Sequence, residues 1–171
     1  MCVYAPVVSQ VANRYLLIDS ASKKDYIIAF DQDNAFLNAF MDDFVKIRIP
    51  DELKQTGNEP NVKILVRALY GLPQSPRLWA KHYNKTLTGL GWEENPFEPG
   101  LYRRRSKIFS DRWLRLSVYV DDNLASGPCK RELEEAVKEI LKIHPSSYRI
   151  LRSMYSHYKN RKYLSYNLKN D

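Results

Sequence analysis

The segment that most restricts the fold is LYRRRSKIFSDRWLRLSVYVDD, residues 101–122. Apolar and polar residues alternate in its second half: Leu114, Leu116, Val118 and Val120 on one side, and Arg115, Ser117 and Tyr119 on the other. A period of two residues is typical of a strand with one buried face, and the polar Ser110–Asp111 pair predicts a turn. The segment therefore predicts a hairpin, so part of the sheet must be antiparallel.

Further strands are predicted before this hairpin. YIIAF, residues 26–30, is a short apolar run typical of a buried strand. FVKIRIP, residues 44–50, alternates apolar and basic residues and predicts a half-buried strand that Pro50 ends, and VKILV, residues 62–66, predicts another. Residues 51–61 have the composition of a loop.

Three helices are predicted around these strands. In residues 7–18, helical spacing joins Val8, Val11, Tyr15 and Ile18 into an expected apolar face. The second helix has Ser75 as its expected cap, Pro76 at its first position and Gly89 and Gly91 at its end, and its apolar face holds Trp79, Tyr83, Leu87 and Leu90. Residues 129–143 predict an amphipathic helix with Leu133, Val137, Ile140 and Leu141 inside. The mixed order predicts an α+β fold.

Length and composition limit the class of protein. A chain of 171 residues suits one domain with a core, and 44% hydrophobic residues are typical of a globular protein. No apolar run has the length of a membrane span and no secretory leader is evident, so we expect an intracellular protein, cytoplasmic or nuclear, without membrane partners. Cys2 and Cys129 make neither a disulfide framework nor a zinc site.

The positive charge is concentrated at the end of the chain. The net charge is +7, and residues 146–171 contribute six Lys/Arg and one Asp. Five tyrosines lie among these basic residues, a mixture that can stack bases and bind phosphates. The alternative, which the sequence favours, is an unselected terminal segment.

Acidic residues follow two of the predicted strands. Asp31 comes after YIIAF, and Asp121 and Asp122 come after LSVYV. Such carboxylates can hold two Mg²⁺ ions about 4 Å apart, and the ions would remove the repulsion between adjacent aspartates. The alternative is ordinary turn chemistry at Asp121–Asp122–Asn123, which the pair on its own favours.

Four blocks in order change this balance: YAPVVS (4–9), FDQDNAFLNA (30–39), RALYGLPQSPRLW (67–79) and VYVDD (118–122). With these blocks the chain resembles the reverse transcriptase domain of copia-type LTR retrotransposons, from its N-terminus to about residue 143. The resemblance implies partial fingers and a palm over residues 1–145, followed by a basic, Tyr-rich tail of uncertain structure at 146–171. It also implies RNA-directed DNA polymerisation, with template-primer and deoxynucleoside triphosphates as partners and two Mg²⁺ ions, or Mn²⁺, as cofactors.

The resemblance also assigns roles to residues. It implies that Asp31, Asp121 and Asp122 are the catalytic metal ligands, and that the Gln32 carbonyl supplies a further oxygen. It implies that Phe36 excludes a 2′-hydroxyl, that Gln74 lies near the sugar, and that Tyr119 lies beside the primer terminus. Taken singly, Phe36 and Tyr119 are better explained by packing, and Gln74 by a position in a surface loop. For Arg77, the sequence does not decide between a contact with phosphate and a position at the start of the helix without a specific role.

Departures from the family pattern lead to further expectations. The family's triphosphate-binding strands precede the position of Tyr4, and the segment after residue 143 does not resemble a primer grip or thumb, so we expect a chain truncated at both ends. Ala39 stands where the family usually has glycine, which would strain a turn that needs positive φ. The alternatives are therefore an inactive remnant that binds nucleic acid, or a piece of a polyprotein that needs its missing parts.

Other catalytic classes are less well supported. His82, His144 and His157 have no Ser or Cys partner in a nucleophile pattern, and the glycines form no phosphate-binding loop. A metal-dependent nuclease could use the same aspartates. However, the LPQ block and Phe36 serve a nucleotide substrate in the family, which argues against a nuclease.

Overall fold

The computed structural model describes residues 5, 7–54, 61–145 and 148–151. Most of the predicted tail, 146–147 and 152–171, lies outside the described residues. Residues Tyr148–Leu151 form a strand, so the tail as predicted from sequence begins with part of the sheet.

The larger sheet has six strands in the order β4-β5-β6-β7-β1-β8, and every neighbouring pair is antiparallel. The strands are β1 Tyr26–Asp31, β4 Glu93–Glu94, β5 Leu101–Arg105, β6 Trp113–Tyr119, β7 Asp122–Gly127 and β8 Tyr148–Leu151. The predicted hairpin is β5–β6, with Arg105 opposite Trp113. The α+β class and the antiparallel sheet are thus confirmed.

Two helices pack on one face of this sheet and close the core. They are α2, Ser75–Gly89, and α3, Lys130–Ile143. The buried residues of α2 include Trp79, Tyr83 and Leu87, and α3 buries Leu133, Val137 and Ile140. These side chains join one cluster with Ile28, Leu114 and Leu116 of the sheet. The periodic patterns therefore identified the inner faces of both helices.

The helix α1, Gln10–Ser22, lies against the opposite face of the sheet. Its Asn13 is hydrogen-bonded to Ser117, which points away from the buried Leu116 because side chains alternate along a strand. The apolar face predicted for α1 is wrong: Val11, Tyr15 and Ile18 are 76%, 67% and 70% exposed, and α1 buries Leu16 and Ser20 instead. The helix meets a polar sheet surface, so its inner face is mostly polar.

Two further local predictions are corrected. Ser75 is not the cap of α2 but its first residue, and its buried hydroxyl donates to the Leu69 carbonyl at 2.6 Å. Ala39 is not strained, because its φ is −91° and its ψ is 138°. The left-handed residue of that segment is Asn34, at φ 50°. The turn before Ala39 therefore needs no glycine at position 39.

Smaller elements complete the fold. The strands β2, Lys46–Arg48, and β3, Val62–Ile64, form a separate two-stranded sheet, shorter and more exposed than predicted. Short 3-10 helices cover Ala35–Asn38 and Asp51–Leu53. Within the described ranges, none of the helices combines the length and apolar character needed to cross a bilayer.

Candidate active site

Strand pairing brings together the acidic residues that the sequence separates by some 90 positions. In the β1–β7 register, Asp31 at the end of β1 lies opposite Asp122 at the start of β7. Opposed Cα atoms in an antiparallel pair are about 4.5–5.5 Å apart, so the two carboxylates lie close together at the same end of the paired strands. The Gln32 amide N–H donates to the Asp121 carbonyl at 2.9 Å and extends this contact beyond the strand.

Asp121 lies in the tight turn between β6 and β7. Tyr119 is paired with Asp122, so Val120 and Asp121 make a two-residue turn. Val120 has φ 58°, a left-handed conformation that costs a β-branched residue about 1–3 kcal/mol. The surrounding structure must stabilise this turn, since valine on its own disfavours it.

The electrostatics of the cluster are those of neighbouring like charges. Partial burial raises the pKa of Asp31, and the charges of Asp121, Asp122 and Asp33 raise it further. Partial burial and the charge of Asp121 also raise the pKa of Asp122. Across the described part of the chain, neither lysine nor arginine forms an ion pair with Asp31, Asp121 or Asp122. Among the described residues, the negative charge of the cluster is therefore not paired with a basic side chain.

An open groove leads to these carboxylates. It has a volume of about 500 Å³ and lies between α1 and the exposed face of the sheet. Its lining includes Asp31, Asp122 and Tyr119, together with Asn13, Leu17, Ala29, Ser117 and Leu124. Tyr119 is 49% exposed and lies directly beside Asp122 in the β6–β7 register. A bound molecule in this groove would reach both carboxylates.

The donor set fits hard divalent cations. Carboxylate oxygens are the ligands that Mg²⁺ and Mn²⁺ prefer, and the raised pKa values indicate repulsion that a cation would relieve. Within the described residues, three or more acidic, histidine or cysteine side chains do not form a ready-made cage. Mg²⁺ commonly takes only one or two protein carboxylates and completes its shell with water and substrate phosphates, so an open set is compatible with it.

Phe36 lies close to the acidic cluster in sequence and packs against a residue that sequence reasoning missed. Its ring is 9% exposed in the 3-10 helix after β1, and its centroid is 4.5 Å from that of Tyr70. Burial raises the pKa of Tyr70, and the charges of Asp121 and Asp31 raise it further. Tyr70 therefore lies within electrostatic reach of the cluster, together with its partner Phe36.

The other predicted residues are more peripheral. Gln74 immediately precedes α2, and its side chain caps no backbone N–H group there. Arg77 donates to the Asp42 carboxylate at 2.6 Å, and this hydrogen bond lowers the pKa of Asp42. The structure thus unites Asp31, Asp121, Asp122 and Tyr119, places Phe36 beside Tyr70, and gives Arg77 an internal partner.

Sequence comparison identifies the family. Residues 1–154 match the sequence model of the family described as reverse transcriptase (RNA-dependent DNA polymerase). The chain belongs to the reverse transcriptase family. The match continues past residue 143, where the resemblance was expected to end, and includes β8.

Curated relatives agree with the copia-type resemblance, which is confirmed. The putative transposon Ty5-1 protein of Saccharomyces cerevisiae is 35% identical over 114 residues, covering 67% of this chain and 36% of its own length. The retrovirus-related Pol polyprotein from transposon TNT 1-94 of Nicotiana tabacum is 28% identical over 75% of this chain and 10% of its own length. The retrovirus-related Pol polyprotein from transposon RE2 of Arabidopsis thaliana is 29% identical, over 72% of this chain and 8% of its own length. The chain spans about a third or less of these relatives.

Proposed function

We propose that this chain carries the nucleotidyl-transfer site of an RNA-directed DNA polymerase, on a palm with part of the fingers. The observation that supports this most is the alignment of Asp31 with Asp122, with Asp121 in the adjoining turn and no basic side chain paired to any of the three within the described ranges. Membership of the reverse transcriptase family gives the reaction class. The raised pKa values of Asp31 and Asp122 indicate repulsion between the carboxylates, which a bound cation would relieve.

In the proposed reaction, a primer 3′-hydroxyl attacks the α-phosphorus of a deoxynucleoside triphosphate. The new phosphodiester bond forms as the bond between the α- and β-phosphates breaks, pyrophosphate leaves, and the hydroxyl proton passes to water. Two Mg²⁺ ions, if bound, would supply positive charge that stabilises the attacking and leaving oxygens. Asp31, Asp121 and Asp122 would hold these ions through their carboxylates, since Asp31 and Asp122 lie at strand ends and Asp121 lies in the tight turn between β6 and β7.

Residues beside the cluster select and position the substrate. Tyr119 offers its exposed ring next to Asp122, where the primer terminus would pack. Phe36, whose ring packs against Tyr70, would exclude a ribose 2′-hydroxyl, as the family resemblance implies. Gln74 offers an amide that can both donate to and accept from the sugar. The groove is open, which suits a polymeric template-primer better than a small enclosed substrate.

The relatives also support a larger molecular context. Two of them are named Pol polyproteins, and this chain matches a small part of each. We infer that the chain acts as one part of a larger transposon-encoded polyprotein, which would supply further contacts to the template-primer.

The test is extension of a DNA primer on an RNA template with Mg²⁺ and deoxynucleotides. The wild type is compared with Asp121→Asn/Asp122→Asn, and circular dichroism verifies that both are folded. We expect synthesis by the wild type and a loss of about 10³-fold or more in the variant, since metal ions contribute several kcal/mol to such transition states. A folded wild-type protein that binds nucleic acid in a salt-dependent manner but shows no synthesis, alone or with added polyprotein segments, would identify an inactive remnant instead.

A second measurement tests the role of Phe36. Phe36→Val should raise the incorporation of ribonucleotides relative to deoxynucleotides by roughly 10–100-fold, because a steric contact of this size discriminates by that order. Phe40→Val is the matched control, since Phe40 is exposed and its ring contacts Arg67. Equal discrimination in both variants would remove Phe36 from the proposed substrate site.

A further inference from the structure

Helix α2 contacts the turn that carries Asp121 from the core side of the sheet. The buried indole of Trp79 donates its Nε1–H to the Val120 carbonyl at 2.8 Å. Val120 is the residue in the left-handed conformation, which valine disfavours. This hydrogen bond therefore acts on the strained residue of the turn and links it to a helix of the core.

A second chain of hydrogen bonds reaches the next residue of the turn. The Tyr83 hydroxyl donates to Asn123 Oδ1 at 3.1 Å, and Asn123 Nδ2 donates to the Asp121 carbonyl at 2.7 Å. Burial raises the pKa of Tyr83, so its hydroxyl keeps its proton and remains a donor. Gln32 Nε2 donates to the Tyr83 hydroxyl at 3.3 Å, which ties the segment after Asp31 to the same centre.

The two aromatic residues form one rigid unit. Trp79 and Tyr83 are one helical turn apart on α2, and their rings stack with centroids 4.8 Å apart and planes at 14°. They are 2% and 1% exposed. Both carbonyls of the turn, those of Val120 and Asp121, are thus held by hydrogen bonds that begin on a single buried helix face.

We propose that Trp79 and Tyr83 are positioning residues, which hold the strained Val120–Asp121 turn and thereby fix where Asp121 and Asp122 lie relative to Asp31, in the geometry that nucleotidyl transfer needs. The inference rests on the proposed function and extends it to residues that cannot touch the substrate. It assigns the indole N–H and the phenol O–H a role in the reaction rate, beyond the packing role that their burial gives them.

The first test is Trp79→Phe, which keeps an aromatic ring and removes the donor. We expect kcat for primer extension to fall about 10–100-fold with little change in KM for the nucleotide, since small misplacements of reacting groups have effects of this order. Trp92→Phe is a matched control, because Trp92 is equally buried and its Nε1 has no hydrogen-bond partner among the described residues. Equal kcat values for the two variants would overturn the proposal.

A rescue experiment separates positioning from packing. Val120→Gly in the Trp79→Phe background introduces a residue that adopts positive φ without strain, so the turn no longer needs the lost hydrogen bond. We expect kcat to recover by at least a factor of three, even though the glycine restores no packing. A double variant as slow as Trp79→Phe would assign the defect to the core and contradict the inference.

A third readout does not depend on polymerase activity. In two-dimensional NMR spectra, Trp79→Phe and Tyr83→Phe should shift the backbone amide signals of Asp121 and Asp122, whereas Trp92→Phe and Tyr102→Phe should not. The Tyr102 hydroxyl is hydrogen-bonded to Glu94 and Asn84, away from the turn. Unchanged signals in both test variants would overturn the positioning role, while an inactive wild type with shifted signals would overturn only the proposed function. Tyr83→Phe keeps the test decisive if Trp79→Phe does not fold.

Discussion

The sheet face that packs against α1 has acidic side chains at both ends of β1: Asp25 at what we call the inner end, and Asp31 with its neighbours at the outer end. Among the described residues, basic side chains pair only with the acidic group at the inner end. At the inner end, Asp25 accepts from Arg112 at 2.5 Å and from Arg115 at 2.7 Å. At the outer end, the charged neighbours of Asp31 within the described part of the chain are Asp121, Asp122 and Asp33, all of them acidic. Arg115 and Tyr119 lie on the same face of β6, four residues or about 13 Å apart, so the sheet changes from paired to unpaired charge over a short distance.

The pKa shifts of Asp19 and Asp31 show the same difference between paired and unpaired carboxylates. Burial on its own would raise the pKa of Asp19, but hydrogen bonds from Lys23 and Arg115 lower it below the usual value. At Asp31, burial and neighbouring carboxylates both raise the pKa. At Asp19 and Asp25 the chain supplies its own cation, whereas at the proposed catalytic carboxylates the cation would come from solution.

The largest predicted effect concerns the paired end. Asp25→Ala should lower the free energy of unfolding by about 2–3 kcal/mol, because it removes the buried carboxylate that Arg112 and Arg115 share, while Arg115 keeps Asp19. Asp122→Ala, at the unpaired end, should change it by less than about 1 kcal/mol. Urea denaturation measures both. Similar losses in the two variants would contradict the distinction between the ends.

The second effect, of intermediate size, is stabilisation by metal. Mg²⁺ at ten times its dissociation constant should stabilise the wild type by roughly 1.4 kcal/mol, since it binds the folded state only. Asp121→Asn/Asp122→Asn should abolish this stabilisation, and Na⁺ at equal ionic strength should not reproduce it. A calorimetric scan with and without Mg²⁺ provides the measurement. Equal stabilisation of the variant would place the cation elsewhere.

The smallest effect is a difference in the sign of pH dependence. The raised pKa of Asp122 means that the folded state binds a proton more readily than the unfolded state, so this residue lowers stability as pH rises through and above 3.8. The lowered pKa of Asp19 adds stability above pH 3.8 that is lost as pH falls through the folded-state value. Asp122→Asn should therefore stabilise the metal-free protein at pH 7 and Asp19→Asn should destabilise it, each by no more than about 1 kcal/mol after solvent screening.

These two variants are to be compared by urea denaturation between pH 3 and pH 7 without divalent cations. The difference from wild type should shrink toward pH 3 for Asp122→Asn, because Asp122 is then close to neutral in both states. For Asp19→Asn it should shrink only at lower pH, because the lowered pKa keeps Asp19 ionised longer in the folded state. If Asp122→Asn destabilises the metal-free protein at pH 7, the repulsion inferred for the outer end is wrong.

Much of the fold followed from periodicity, which depends only on the next few residues. The alternation of Leu114 and Leu116 with Arg115 identified β6, and the spacing of Trp79, Tyr83 and Leu87 identified the buried face of α2. The same reasoning failed for α1, because its inner face meets Arg115 and Ser117 rather than an apolar surface. Periodicity reveals a buried stripe only where the opposing surface is apolar.

The site was predicted in its acidic residues but not in what supports them. Asp31, Asp121 and Asp122 were predicted from their position after predicted strands and, decisively, from the resemblance to a family; the structure places them together, and their role stays a prediction. The approach of Tyr70 to Phe36 and the bond from Trp79 to Val120 depend on long-range packing that no local pattern encodes. The one available signal was Tyr70 inside the RALYGLPQSPRLW block, whose function was sought only in Gln74 and Arg77.

The pairing of β8 with β1 has a consequence for the handling of this protein. With Tyr148–Leu151 in place, β1 has neighbours on both sides and its amide groups are occupied. If the chain were cut before residue 148, β1 would become an edge strand that presents a row of apolar residues and free backbone donors to other molecules. Such edges promote intermolecular sheet growth, so a shortened version should precipitate through the strand that carries Asp31. Solubility and access to the carboxylate would then be lost in the same event.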